Sequence, residues 1–363
     1  MTTYWVLFLL PFLGSLWPRN NSTFSKVLLW MGLVITTLIL VGLREKVGGD
    51  WINYLEAYRR IEDEGLGPAL RNRSIGYGLI NWVTSLLGGG IYGVNLVCAS
   101  VFLSGLLAFC LRQPLPCLAW LVATPYFIIV VAMGYTAQSA ALGVSMLSFI
   151  FILERRYVVS IVFIAIGVML HKSAIISAVL LAAMFFDKET LVQVKKKVLD
   201  RNPGSRYLIL AASMSLLLII LAVQGPGMYQ TLEYYVLRNH WDSGGGVIRV
   251  LMNTFPAIVF LIVGRRLVES DHALRFWRLV CLIALLCAPL ALIYSTLADR
   301  ISLYLIPLQL LVWSRVPTLF KDPVLASGVT LFIGAGYGLV LWVWLTYASH
   351  AYEWIPYYNI LLP

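Results

Sequence analysis

Long apolar windows recur along the whole chain and constrain its fold more than any other feature of the sequence. Positions 27–43, for example, contain no charged side chain. A window of about 17–25 apolar residues is long enough to cross about 30 Å of hydrocarbon as a helix. The mean hydropathy is +0.84 and only 12% of the 363 residues are charged, whereas soluble proteins average about 25%. We therefore predict an all-α, polytopic integral membrane helix bundle.

The windows predict about twelve transmembrane helices in a single transmembrane domain, residues 1–363. They lie at 4–17, 27–43, 91–111, 115–131, 134–153, 157–170, 173–186, 207–223, 247–263, 276–296, 301–313 and 324–347. The first window has no basic segment before it and no small-residue cleavage site after it, so we expect a retained span. The apolar segment 75–87 is short for a crossing, and we predict a re-entrant or interfacial helix there.

Basic residues indicate which loops are cytoplasmic. If the loop 18–26 is cytoplasmic, strict alternation places 17 of the 27 basic residues on the same side, several of them in the loop 187–206. This excess agrees with the positive-inside rule. Both termini then lie outside. The external face would consist of the loops 44–74 and 224–246 and the tail 348–363.

Several arginines lie at the predicted outer surface. Arg44 directly follows one window, Arg300 begins another, and Arg71 and Arg73 share that side of the membrane. The planar guanidinium group is suited to bidentate recognition of phosphate, so these residues are candidates for binding a lipid pyrophosphate. Snorkelling towards lipid headgroups is the alternative explanation for each of them. Asp299 is also a candidate ion partner of Arg300.

Four other polar residues are candidates for a site on this side. His171 lies in a tight turn between two windows. A histidine titrates near neutrality and can accept a proton from a hydroxyl; an interfacial histidine with no chemical role is the alternative. Asp50 and Tyr54 are four positions apart and would share one helix face, unless Asp50 simply caps the helix. Gln138 lies in a small-residue segment, where an interhelical hydrogen bond is the alternative role.

Several enzyme classes lose support because their motifs are absent. The sequence contains no Walker A motif, no H-E-x-x-H, no G-x-S-x-G and no D-x-D pair. A nucleotide-driven pump, a zinc protease, a serine hydrolase and a metal-dependent nucleotide-sugar transferase are therefore disfavoured. The five cysteines lack metal-ligand spacing and fit small buried residues. We expect no metal, no cofactor and no nucleic-acid partner.

The order of the polar motifs resembles a known family. R-x-x-x-G-x-D-x-x-x-Y at 44–54 is followed by GYGLINW at 76–82, Gln138, LHKSA at 170–174, ADRISLYLIP at 298–307 and WIPYYNILL at 354–362. Together they resemble the EpsG-like branch of the bacterial Wzy-type polysaccharide polymerases. Two positions depart from the family pattern. Ala137 stands where an arginine often precedes the glutamine, and RSIGY stands in place of an acidic E-P-G-[FY] stretch.

The resemblance implies a metal-independent C-type glycosyltransferase of the bacterial inner membrane, with its active site on the periplasmic or extracellular side. It would transfer a growing glycan from undecaprenyl pyrophosphate onto the terminal sugar of another lipid-linked repeat unit. Its partners would be these two lipid-linked oligosaccharides, membrane lipids and a possible chain-length regulator protein. Arg44 and Arg300 would bind the pyrophosphate, with Arg71 or Arg73 replacing a missing contact, and His171 or Asp50 would be the general base. The substrate-binding candidates are Tyr54, Gln138, Tyr135, Asp299 and Tyr304.

Two other functions remain open at this stage. A transporter or flippase of lipid-linked oligosaccharide would also need outward arginines, but it should show internal repeats and charges near the midplane. We find neither in the sequence. Another lipid-linked-sugar glycosyltransferase, such as a ligase, differs from a polymerase mainly in its acceptor, which the sequence does not identify.

Overall fold

The computed structural model describes residues 1–17, 22–72, 74–185 and 244–361, and the isolated positions 215 and 218. This part of the chain is almost entirely helical. Its α-helices are α1 (Thr2–Leu16), α2 (Thr23–Gly42), α3 (Trp51–Glu64), α4 (Leu66–Arg71), α5 (Ile75–Leu86), α6 (Gly90–Cys110), α7 (Pro116–Ala123), α8 (Thr136–Leu153), α9 (Tyr157–Leu170), α10 (Ile175–Phe185), α11 (Gly246–Leu267), α12 (Asp271–Ile293), α13 (Ser295–Ser302), α14 (Pro307–Arg315) and α15 (Pro323–Tyr347).

Short elements connect or extend these helices. Helix α7 continues as a π-helix, Thr124–Ala132, and 3₁₀ turns occur at Lys172–Ala174, Leu303–Leu305, Val316–Leu319 and Ala351–Glu353. Two short strands, β1 (Arg44–Glu45) and β2 (Tyr358–Asn359), pair antiparallel with Arg44 opposite Asn359. The all-α membrane class predicted from the sequence is confirmed at this level.

The predicted number of twelve spans is not confirmed. Within the described ranges, six helices are long and apolar enough to cross a membrane, namely α2, α6, α8, α11, α12 and α15, and four apolar helices are shorter. The predicted span 301–313 is wrong as a continuous helix: the chain passes from α13 through a 3₁₀ turn into α14. Pro307 explains the break, because proline lacks the amide hydrogen that would continue the helix. The predicted span 207–223 lies outside the described residues, apart from positions 215 and 218.

The chain divides into two compact units, 1–143 with 309–363 (unit 1) and 144–308 (unit 2). In unit 1, helices α6 and α8 meet through glycines. A Cβ atom on Gly105 would lie 1.9 Å from the carbonyl oxygen of Gly143, and one on Gly143 would lie 2.5 Å from Phe102 Cα. Such close backbone approach is typical of small-residue packing between membrane helices.

Unit 2 is built around α11 and α12, and polar bonds connect its helices. Asn253 Nδ2 donates to the carbonyl oxygen of Ser302 at 2.7 Å, and His272 Nε2 lies 2.9 Å from the carbonyl oxygen of Ile152. Both side chains are buried. These two buried side chains thus each have a backbone partner, as buried polar groups in a helix bundle normally do.

Candidate functional site

Unit 1 contains a buried polar cluster around Arg44, which directly follows α2. The side chain is only 1% exposed. Its Nη1 donates to the carbonyl oxygen of Val41, Nε donates to that of Val47 at 3.3 Å, and Nη2 donates to Thr136 Oγ1 at 2.7 Å. The guanidinium group therefore lies against the C-terminus of α2, where the helix dipole favours a positive charge.

Arg44 has neutral groups as its neighbours. None of the ion pairs among the described residues includes Arg44, and its guanidinium carbon lies 6.0 Å from the centre of the Trp51 ring. Burial lowers the pKa of Arg44 to about 10, and the nearby Tyr54 and Tyr77 oppose this shift. The group stays protonated at neutral pH, so unit 1 holds a buried positive charge without a carboxylate partner, an arrangement that favours a bound anion.

Buried polar atoms without partners among the described residues occur on α5 and α6, the helices whose Tyr77 and Asn95 lie near this guanidinium group. The rings of Tyr54 and Tyr77 meet edge to face at 5.4 Å, and Thr136 Oγ1 lies 3.4 Å from Asn95 Oδ1. Within the described part of the chain, Tyr77 Oη, Asn81 Oδ1 and Asn95 Nδ2 are buried without a hydrogen-bond partner. Buried polar atoms normally have hydrogen-bond partners, so these three atoms could form additional hydrogen bonds with a ligand.

Asp50 immediately precedes α3, and Tyr54 lies in the first turn of that helix. Asp50 is the N-cap residue, but its carboxylate makes no capping bond to the helix backbone; it accepts a weak bond from Asn53 Nδ2 at 3.4 Å. The Asp50 charge acts on the Tyr54 hydroxyl, which also lies against the backbone amide of Ala137. The two residues thus lie together beside the Arg44 cluster.

The other candidates in unit 1 lie in different surroundings. Gln138, in the first turn of α8, is 4% exposed, and its Nε2 has no hydrogen-bond partner among the described residues. Tyr135 precedes α8 and is partly exposed, whereas Arg71 at the end of α4 is exposed. Arg73, like most of the loop 224–246 and all of the loop 187–206, lies outside the described residues.

The C-terminal tail also packs against the end of α2 beside Arg44. These contacts were not predicted from the sequence. Tyr357 Oη donates to the carbonyl oxygen of Leu40 at 2.7 Å, and Asn359 Nδ2 donates to that of Ile39 at 3.1 Å. Arg44 and the tail thereby donate to three successive carbonyl groups at the end of α2, of which that of Ile39 also accepts from the Leu43 amide. The motif WIPYYNILL was the sequence signal for this segment, but it did not indicate these bonds.

Unit 2 contains a second cluster, which begins at His171. This residue follows α9 and caps the turn Lys172–Ala174, and its Nδ1 accepts a hydrogen bond from the Ser173 amide at 3.4 Å. Burial, together with the positive charges of Arg300 and Lys172, lowers the pKa of His171 to about 3. The imidazole is therefore neutral at physiological pH.

Arg300 and Asp299 lie side by side in α13 but have different roles. Both carboxylate oxygens of Asp299 accept hydrogen bonds from Arg249, Nε at 2.9 Å and Nη2 at 2.7 Å. The pair with Arg249 was not expected from the sequence, because Arg249 and Asp299 are fifty positions apart and no local pattern indicates their contact. This bidentate pair neutralises the Asp299 charge beside Arg300.

Tyr304 lies close to Arg300 in the following 3₁₀ turn. Its side chain is 1% exposed, and its hydroxyl has no hydrogen-bond partner among the residues that the structure describes. The Arg300 charge acts on the Tyr304 hydroxyl as well as on His171. Unit 2 thus brings together four of the predicted residues: His171, Asp299, Arg300 and Tyr304.

Fold and clusters together define a class of protein: a polytopic helical membrane protein with buried cationic polar sites. In the described ranges, no three His, Cys, Asp or Glu side chains are grouped so that they could hold a metal ion. The model of the EpsG family matches residues 27–359, nearly the whole chain, and the protein belongs to this family, whose members are membrane proteins of the polysaccharide polymerase type. No curated protein and no solved structure matches the chain.

Proposed function

We propose that this protein is a polysaccharide polymerase that transfers a growing glycan from undecaprenyl pyrophosphate onto the terminal sugar of another lipid-linked repeat unit. One observation carries the proposal beyond the family: Arg300 acts on both His171 and the buried, unpartnered hydroxyl of Tyr304. Arg300 and Lys172 supply two cations, while the Asp299 charge is neutralised by Arg249. A group of cations and hydrogen-bond donors suits a pyrophosphate.

The reaction needs charge stabilisation more than any other assistance. The acceptor hydroxyl oxygen forms a bond to the anomeric carbon of the donor while the bond between that carbon and the pyrophosphate oxygen breaks. The electron pair of the broken bond leaves with the pyrophosphate, and the hydroxyl proton passes to a base and then to water. Positioned donors stabilise the charge that develops on the leaving oxygen, and losing one such contact costs about 10²–10³ in rate.

Arg44 has a supporting role in this proposal. All three of its hydrogen bonds go to groups of unit 1 itself. It organises the end of α2, and its charge, which has no carboxylate partner among the described residues, favours a phosphate or another anion nearby. Arg71 and Arg73 remain proposed pyrophosphate contacts; Tyr54, Gln138 and Tyr135 remain proposed sugar contacts, and Asp50 and His171 are the two proposed bases.

The proposed location is the bacterial inner membrane, with the reaction on its periplasmic or extracellular side and a chain-length regulator as a further partner. Contacts in unit 1 support the alternation of loops on which this location depends. Arg44 and Asn359, both predicted to be outside, lie together with Thr136, which is near the outer end of the predicted span 134–153. Gln113 and Arg315, both predicted to be inside, are hydrogen-bonded to each other at 3.1 Å.

The test is a reaction of purified protein with lipid-pyrophosphate-linked repeat units in EDTA, without nucleotide. A ladder of products spaced by one repeat is expected. Arg300→Ala should reduce its rate about 10²–10³-fold, while Arg112→Ala, which removes an exposed arginine bonded to its own helix, should leave the rate unchanged.

Two results would contradict the proposal. Full activity of Arg300→Ala would remove this arginine from the pyrophosphate site. Bound but unreacted lipid donor, with no ladder from the unaltered protein, would favour a flippase, or a ligase that needs a different acceptor.

A further inference from the structure

We infer that His171 acts in the proposed transfer as a neutral hydrogen-bond donor through Nε2–H, and not as the base that takes the acceptor proton. The inference rests on the proposed function and assigns one residue of its site. The sequence proposed either His171 or Asp50 as the general base, and this inference removes His171 from that choice.

The hydrogen bond to Nδ1 determines where the imidazole proton lies. The Ser173 amide donates to His171 Nδ1 at 3.4 Å, and a nitrogen that accepts a hydrogen bond carries no proton. A neutral imidazole has one N–H group, which must then be at Nε2. The Ser173 amide supplies the only hydrogen bond to this imidazole among the described residues, so Nε2–H is available for a ligand.

The backbone of this turn holds His171 in position. His171 accepts a second bond through its carbonyl oxygen, from the amide of Ala174 at 3.0 Å, and its own amide donates to the carbonyl oxygen of Gly167 at 2.9 Å. The residue therefore links the end of α9 to the following turn. The orientation of the ring is a consequence of this local fold.

The charges that face His171 disfavour a protonated imidazole. Arg300, on α13, and Lys172, on the same turn, are both cationic. The nearest carboxylate to Arg300 along α13 is that of Asp299, which is held by Arg249. Burial and these two cations lower the pKa of His171 to about 3, and so weak a base removes a hydroxyl proton poorly.

A neutral hydrogen-bond donor is suited to the departure of the pyrophosphate. As the pyrophosphate leaves, its oxygen gains negative charge, and Nε2–H can donate to it beside Arg300 and the Tyr304 hydroxyl. No proton moves to or from His171 in this step. Asp50 is then the remaining residue that the sequence proposed as base.

The test compares His171→Gln with His171→Ala in the ladder reaction. A glutamine amide places an N–H group near the position of Nε2 but does not act as a base. We expect His171→Gln to remain within about 10-fold of the unaltered protein, and His171→Ala to lose about 10²–10³-fold. The rate of the unaltered protein should show no ionisation between pH 5 and 8 that His171→Gln removes.

Opposite outcomes overturn the inference. A folded His171→Gln protein as inactive as His171→Ala, or a limb near pH 6.5 that only the unaltered protein shows, would make His171 a base. Thermal unfolding serves as the folding control. Imidazole ¹⁵N spectra, with His171 assigned by its loss in His171→Gln, should show a protonated Nε2; a protonated Nδ1 would refute the inference even without activity. Absence of a ladder from the unaltered protein would instead count against the proposed function.

Discussion

Arg44 brings a permanent charge into an interior that offers it two backbone carbonyl oxygens and one hydroxyl. Arg44→Ala would leave these buried acceptors without a donor, and unsatisfied buried groups cost about 1–3 kcal/mol each. We expect a clear fall in the unfolding temperature of the purified protein. Arg59→Ala removes an exposed arginine of α3 and should change it little; equal effects of the two substitutions would contradict the structural role of Arg44.

His171 should make stability depend on pH. Its pKa is about 3 in the folded protein and about 6.5 when unfolded, so the unfolded chain binds more protons between these values. The contribution of His171 to the free energy of unfolding is fully present above pH 6.5 and is lost as the pH falls towards 3. Lowering the pH from 7 to 5 should therefore reduce the unfolding temperature more for the unaltered protein than for His171→Gln. An identical pH dependence would contradict the lowered pKa.

Sequence reasoning found the charged residues of both clusters but not their pairing. Arg44 was conspicuous because it follows seventeen uncharged positions, 27–43. Asp50 and Tyr54 were predicted to share a helix face, and the structure places Asp50 at the N-cap of α3, close to Tyr54 in its first turn. The pair Arg249–Asp299 was not predicted, because a contact across fifty positions leaves no periodic signal in a single sequence. The roles of these residues stay predictions.

At the scale of elements, the crossing of α6 and α8 depends on two glycines. Gly105→Ala would place a methyl group 1.9 Å from the carbonyl oxygen of Gly143, so the helices would have to separate. Overpacking of this kind costs about 1–3 kcal/mol, and we expect a lower unfolding temperature. Gly336→Ala in α15 is the matched control, because no atom lies within 4 Å of the added Cβ. A fall for Gly336→Ala equal to that for Gly105→Ala would contradict this explanation.

Hydropathy predicted the long helices and missed the breaks between shorter ones. An apolar window has the same average whether its helix is continuous or interrupted, so 301–313 looked like one span although Pro307 starts a new helix there. The π-helical segment Thr124–Ala132 was equally invisible. The tail was expected at the outer surface, but hydropathy does not indicate its backbone pairing with β1 or the bond from the Asn359 side chain to the end of α2.

At the scale of the molecule, unit 1 brings loops that were predicted to lie on the same side of the membrane to the same end of α6. In unit 1, Thr136 contacts both Arg44 and Asn95, a residue near the start of α6. Cys110, the last residue of α6, lies about 22 Å further along the helix axis. Gln113, just beyond, is bonded to Arg315. The segments predicted to be external and cytoplasmic therefore gather at opposite ends of α6. This agrees with the alternation read from the sequence, while the side of the membrane at each end stays a prediction.

Cysteine labelling decides which end of unit 1 faces outward. Glu64, at the end of α3, and Lys321, before α15, are both exposed. We expect a membrane-impermeant maleimide to label Glu64→Cys in intact cells and Lys321→Cys only after permeabilisation. The unaltered protein is the control, because four of its cysteines are buried and Cys117 is partly buried. The reverse pattern would invert the bundle and move the Arg44 cluster to the cytoplasmic side; labelling of both positions in intact cells would refute the alternation itself. Only the expected pattern places the Arg44 cluster on the external side, where the lipid-linked repeat units of the proposed reaction would have to be.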